Sequence, residues 1–185
     1  MVAEHDEREW IRQSREGQAD AFAMLVRHYQ RMIHSLTYRM TGSLTEAEDL
    51  AQETFVRAWH HLDSFAGEAK FSTWLCRIAV NLCLNWRQRE GRRQEVHQTW
   101  ANDVSTQHTP RDDESTGAHL NHRVQAALDR LPAKQRAAIV LTVYHELSHA
   151  EAARALGCSE TTVSWRLFAA RSKLKRWLKA EHSHA

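Results

Sequence analysis

Only two prolines and six glycines punctuate the 185 residues, and strand-like alternation of apolar and polar residues is absent. Those two residue types break helices and shape tight turns, so a chain this poor in both is expected to be all-α. Cysteine is as scarce. Cys76, Cys83 and Cys158 form no C-x-x-C pair and leave an odd count. Seven residues apart on a helix, Cys76 and Cys83 are separated by about 10 Å, too far for a disulfide. A reduced compartment, the cytoplasm, is therefore expected. No apolar run approaches the length of a membrane span, and the acidic start MVAEHDEREW has no apolar signal-peptide segment. No membrane contact is expected. There is also no glycine-rich phosphate loop, nucleophile elbow or paired-carboxylate site, so the chain does not read as an enzyme and no cofactor is expected.

What is present is charge, unevenly placed. The net value of +2 hides 8 Lys and Arg against 12 Asp and Glu in residues 1–70. Residues 71–95 hold 5 against 2, and residues 153–185 hold 7 against 2. Two basic patches behind an acidic front suggest polyanion binding in two places and a different partner at the front.

Leu25, Tyr29, Met32, Leu36 and Met40 recur at helical spacing, with Gly42 as the stop. TEAE, Thr45 to Glu48, reads as a capping box opening a helix whose buried stripe is Ala47, Leu50, Ala51, Phe55, Ala58 and Leu62. Between Val96 and His119 the periodicity is lost, with one Arg against four Asp and Glu, plus Pro110 and Gly117. Such a stretch reads as a flexible linker. Two small helical domains follow, 1–95 and 120–181, joined by the linker 96–119 and ending in a tail, 182–185.

FSTWLCRIAVNLCLNWRQREGRR, Phe71 to Arg93, combines core residues with five arginines. At about 100° per residue, Leu75, Ile78, Ala79, Leu82, Cys83 and Trp86 fall on one side and Arg77, Asn81, Asn85, Gln88 and Arg92 on the other. Amides and guanidiniums are the groups that contact phosphates and base edges. Trp74 lies on the polar side, either to stack on an unpaired base or to tuck against the preceding loop.

The second basic patch is a helix-turn-helix pattern. SHAE, Ser148 to Glu151, is a capping box, Gly157 makes the turn, and SETTVSWRLFAARSKLKRW is the second helix. Val163, Leu167 and Ala170 form its inner stripe. Thr162, Ser164, Trp165, Arg166, Phe168 and Arg171 surround that stripe, the early ones placed to enter a major groove. HELSH, His145 to His149, also matches the zinc-hydrolase pattern through His145, Glu146 and His149. That chemistry needs both histidines on one face of one helix, whereas Ser148 with Glu151 marks a helix start between them. No metal site is expected.

AFAMLVRHYQRMIHSL, EAEDLAQETFVRAW, the LDSF…FSTWLCRIAVN stretch and LPAKQRAAIVL…LSHAEAARALGCSETTVSWRLFAAR stand in the order and spacing of one family. The chain resembles the extracytoplasmic-function sigma factors of bacterial RNA polymerase over nearly its whole length. The resemblance implies a two-domain initiation factor that docks on core RNA polymerase through the β′ clamp helices and β flap. It implies promoter DNA as a partner and an anti-sigma factor that masks the polymerase-binding faces. Asp49, Gln52, Glu53, Val56 and His60, opposite the buried stripe of their helix, become the implied polymerase-docking face. The loop FAGEAK, with Phe65, Gly67 and Lys70, joins Trp74, Arg77, Asn81, Asn85, Gln88 and Arg92 as the implied contacts to the −10 element. Base capture there needs a recess and an amide, which Phe65, Gly67 and Asn81 supply. Thr162, Ser164, Trp165, Arg166, Phe168, Arg171 and Lys173 are the implied −35 contacts. Ala66 stands where the family often has arginine, and Ser164 and Ala169 replace two more arginines, so those cationic contacts do not carry over. The rival readings are a stand-alone helix-turn-helix regulator, which would bind duplex DNA without polymerase, and the zinc hydrolase.

Overall fold

In the computed structural model, the backbone of residues 4–100 and 116–182 is described, with side chains for 6–93 and 121–178. Among the described residues every regular element is helical. The order is α1 (Glu4–Arg15), α2 (Ala19–Thr41), α3 (Leu44–His60), a 3-10 turn (Leu62–Ser64), α4 (Phe71–Trp100), α5 (Thr116–Asp129), α6 (Ala133–Ile139), a π turn (Val140–Tyr144), α7 (His149–Leu156) and α8 (Glu160–His182).

Helix α2 carries the core of the first unit. Leu25, Ile33, Leu36 and Met40 are fully buried, and α1, α3 and α4 pack around them. Its end is abrupt because Gly42 adopts φ 77°, a left-handed cap whose N–H donates to the Tyr38 carbonyl. Helix α3 begins two residues before the expected TEAE box. Ser43 is the cap, its hydroxyl accepting from Glu46 N–H at 3.4 Å, so the true signature is Ser43 to Glu46. The stripe of α3 is buried at Ala47, Ala51 and Ala58 but only half-buried at Leu50 and Phe55, and buried Thr54 belongs to it as well.

Helix α1 was not anticipated. It is polar along most of its length, and its place is held by buried Ile11 and by Arg15, which donates to the Leu62 carbonyl at 3.4 Å and to the Phe65 carbonyl. At the other boundary, α4 continues through Trp100 and α5 begins at Thr116. Residues 96–100 and 116–119 are therefore helical where linker was expected, and the remainder of that stretch lies outside the described residues.

In the second unit, Leu128, Ala137, Val140, Leu141, Ala152, Val163, Leu167 and Ala170 are buried together. The two units also meet. Helix α7 packs on α4, α5 and α6 touch α2, and one continuous apolar cluster runs through both.

Candidate nucleic-acid interface

The opposed faces of α4 appear as the wheel required. Leu75, Cys76, Ala79, Val80, Leu82 and Cys83 are buried, while Arg77, Asn81, Asn85, Gln88 and Arg92 are all exposed. Ile78 and Trp86 sit half-buried at the border. Burial pushes the Cys76 and Cys83 thiols up to about 12, so neither is a reactive thiolate at neutral pH. Arg87 is the one described arginine of α4 that turns inward, donating to the Met40 carbonyl at 3.1 Å, and burial lowers its pKa.

At the start of α4 the chain makes a recess. Phe65, Phe71 and Trp74 form an aromatic cluster with ring centroids 5.4 Å apart in each pairing. Gly67, at φ 76°, lets the loop double back over it, and Arg15 holds the loop carbonyls from below. The recess measures about 660 Å³, with Trp74, Arg77 and Asn81 on one wall and Gly67 at the lip. Trp74 is half-buried against Phe65 and Phe71, so it is tucked against the preceding loop while still lining the cavity. Phe65 is buried; it builds the wall from behind. Lys70 is exposed, yet its ammonium lies 3.4 Å from the Glu151 carboxylate of α7. Sequence reasoning missed three basic side chains in the lining, Arg57, His61 and, from the second unit, Arg154, and Arg15 beneath it. Their only signal was tertiary.

On α3, Asp49, Gln52, Val56 and His60 are exposed along one face. Glu53 is half-buried on the same face and ion-paired to Arg57 at 2.7 Å. Gln52, Val56 and His60 of that face also line a groove of about 980 Å³ between α2 and α3, together with Phe22, Val26, Phe55 and Trp59.

The helix-turn-helix is built by local chemistry. The Ser148 hydroxyl accepts from Glu151 N–H at 3.2 Å, and the Glu151 carboxylate accepts from Ser148 N–H at 2.9 Å. These bonds hold the Glu151 carboxyl below its ordinary range. Gly157 turns the chain at φ 58°, and the Ser159 hydroxyl caps α8 by accepting from Thr162 N–H at 3.2 Å. Val163, Leu167 and Ala170 face inward, leaving Ser164 and Arg171 exposed with Trp165 at 64% and Phe168 at 73%. Large aromatics that open need something to lie against. Thr162, Arg166 and Lys173 are half-buried, and Arg166 reaches the Cys158 sulfur at 3.4 Å.

The histidines of HELSH do not share a helix. His145 ends the π turn, Glu146 follows at φ 54°, and His149 opens α7 with Nδ1 3.0 Å from the Ser164 hydroxyl. Among the described residues no cluster of three or more metal-ligating side chains forms.

Residues 25–93 match the family Sigma-70 region 2, and residues 121–174 match Sigma-70, region 4. The chain is 36% identical over 178 residues to the ECF RNA polymerase sigma factor SigW of Bacillus subtilis (strain 168), covering 91% of this chain and 95% of that protein. It is 32% identical over 186 residues to the RNA polymerase sigma-H factor of Pseudomonas aeruginosa, with 96% of each covered. The solved structure of CnrH in complex with the cytosolic domain of CnrY is similar at a TM-score of 0.71 and 29% identity, over 95% of this chain and 98% of that one. RpoE in complex with the anti-sigma factor NepR, from Bartonella quintana, is similar at a TM-score of 0.67 and 28% identity, over 85% of this chain and 96% of that one.

Proposed function

This chain belongs to the sigma-70 family as a sigma factor of the extracytoplasmic-function type, and on that premise we propose how its surfaces divide the work of promoter recognition. The first domain, residues 1–95, docks on core polymerase through the exposed face of α3, meeting the β′ clamp helices with Asp49, Gln52, Glu53, Val56 and His60. It receives an unpaired base of the −10 element in the recess beside Asn81, while Arg77, Asn85, Gln88 and Arg92 follow the strand's phosphates. The second domain, residues 120–181, meets the β flap and sets α8 in the major groove of the −35 element. Bond making stays with the polymerase, so the chain needs no catalytic group, cofactor or metal.

One observation carries this reading: the polar stripe of α4 is wholly exposed and begins at the rim of the aromatic recess. A strand laid along the stripe reaches a cavity large enough for a base with an amide on its wall. An anti-sigma factor is proposed as a further partner, since relatives of the same fold are solved in complex with CnrY and NepR. Among the described residues no helix is long and apolar enough to cross a membrane, which is consistent with a cytoplasmic factor.

The test is transcription in vitro with core polymerase over a library of promoters randomised at both elements. Enrichment of one −10 and one −35 sequence, dependent on the chain, is expected. Tight sequence-specific duplex binding with no effect on polymerase would instead make it a stand-alone regulator.

A further inference from the structure

We infer that α8 selects its duplex by apolar contact of Trp165 and Phe168 with thymine methyl groups, rather than by guanidinium bonds to guanine. The inference rests on the proposed assignment of −35 reading to this helix and names the base chemistry that it selects.

The open residues of α8 form one stripe. Thr161, Trp165, Phe168, Ser172 and Lys175 are exposed at spacings of four, three, four and three residues, so they share a face, with Arg171 beside them. Buried Val163, Leu167 and Ala170 occupy the opposite side. With 64% and 73% of their surfaces open, neither Trp165 nor Phe168 serves the core of its own unit.

The polar groups next to the stripe are engaged within the motif. The Thr162 hydroxyl lies 2.9 Å from the Ser159 hydroxyl, and the Ser164 hydroxyl lies 3.0 Å from His149 Nδ1. Arg166 is half-buried and donates to the Cys158 sulfur at 3.4 Å. From Glu160 to Phe168 the stripe therefore offers a base edge two rings and Thr161, and the first exposed cation of α8 is Arg171.

That order matches one base better than the others. Guanine presents two acceptors in the major groove and is read by a two-pronged donor, whereas thymine is the base that presents a methyl group. An aromatic face gains by covering the methyl and has nothing to give the guanine acceptors. At about 1.5 Å per residue, Trp165 and Phe168 stand about 4.5 Å apart along the helix axis, against about 3.4 Å between base pairs. Their thymines fall on adjacent or next-but-one pairs. Arg171 and Lys175 continue the same face about one and two turns beyond Phe168, where phosphates would meet them. An apolar centre continuous with a cationic end, in a segment holding 7 Lys and Arg against 2 Asp and Glu, fits duplex DNA rather than a protein surface.

Holenzyme assembled from the full chain and core polymerase is offered two pools of duplex promoter randomised at −35, with the −10 sequence selected above held fixed. One pool carries deoxyuridine in place of thymidine within the −35 element, so the 5-methyl group is the sole difference. Wild type should enrich thymine at two neighbouring positions. It should bind those sequences about four-fold more weakly for each methyl removed, the worth of burying one such group. Trp165→Ala with Phe168→Ala should erase that difference, with thermal unfolding unchanged because both rings are exposed. Any effect of the methyl on the duplex's own shape would persist in this variant. A wild-type −35 preference that ignores the methyls would overturn the inference and give the ring pair to a protein surface, with the proposed function left standing. A methyl effect that survives in the double variant would overturn it as well, since another group would then be the reader. Absence of any −35 preference in wild type would defeat both the inference and the proposed role of α8.

Discussion

Two guanidiniums converge on one carbonyl oxygen at Met40, and burial together with neighbouring Arg87 brings Arg136 down to about 10. Both arginines stay charged at neutral pH, so Asp129 carries much of their balance. His145 sits at the edge of the same cluster, half-buried with Nε2 unpartnered, and burial, with Arg39 adding to it, lowers its pKa to about 4. The unfolded chain takes up that proton near pH 6.5 while the folded chain resists it until about pH 4. Stability is therefore fully present above pH 6.5 and falls across that window, by about 1–3 kcal/mol. Chemical denaturation of wild type and His145→Gln between pH 4.5 and 7.5 checks this. The variant should lose part of the slope, and equal slopes would show that other groups set it. Asn81 belongs to the same scale. Asn81→Ala removes the amide from the recess wall and should cost about 1–3 kcal/mol of discrimination at one −10 position, with polymerase binding retained. Initiation assays across single-base −10 variants read this, and an unchanged preference would move the captured base elsewhere.

At the scale of elements, short-range chemistry sets the helix ends. Ser148→Ala removes half of the reciprocal box that starts α7 and should lower stability by about 1 kcal/mol, seen as a drop of a few degrees in thermal unfolding. No change in melting would mean that tertiary packing alone holds α7. The α3 start shows how such signals mislead. TEAE has the pattern of a box, but SLTE, two residues earlier, has it too and follows the Gly42 turn directly. In α8 the inner stripe was legible from spacing because one helix face must be apolar to be buried. Its outer face presents Trp165, Phe168 and Arg171, with Ser164 exposed beside them. Arg171→Ala should then weaken −35 duplex binding almost equally across sequences and flatten the salt dependence by about one unit of slope. Titrations at several salt concentrations decide the point. Lost preference at one base pair, with the slope intact, would make Arg171 a base reader.

For the whole molecule, charge matters through its distribution. The acidic front faces outward on α3, and Asp49→Arg with Glu53→Arg would set like charges against a basic partner. That juxtaposition costs several kcal/mol, enough to abolish a complex of ordinary affinity. Loss of the Glu53–Arg57 pair adds only about 0.3–0.5 kcal/mol, since it is an i,i+4 pair whose side chains are nearly half exposed to solvent. The double variant should fold normally and fail to co-elute with core polymerase. Normal co-elution would place the docking face on another surface.

Helix content, the opposed faces of α4, the capping box of α7 and the glycine stops at Gly42 and Gly157 were determined by the sequence itself. Each is a local pattern, fixed by periodicity or by a hydrogen bond three or four residues long. Sequence motifs also sufficed for the family, because several stand together in order. Other features depended on residues far apart in the chain. Helix α1 was not read, since its place depends on Arg15 reaching the carbonyls near residue 65 rather than on a stripe of its own. Phe65 was assigned to DNA by resemblance and Trp74 from its place on the polar side of α4; the ring contacts with Phe71 make both parts of the recess wall. The meeting of Arg136 with Met40, 96 positions apart, leaves no local trace, because either residue alone reads as an ordinary surface cation or core apolar group. Burial of a charge against a distant carbonyl is decided only when the two units come together, and only the tertiary structure records that.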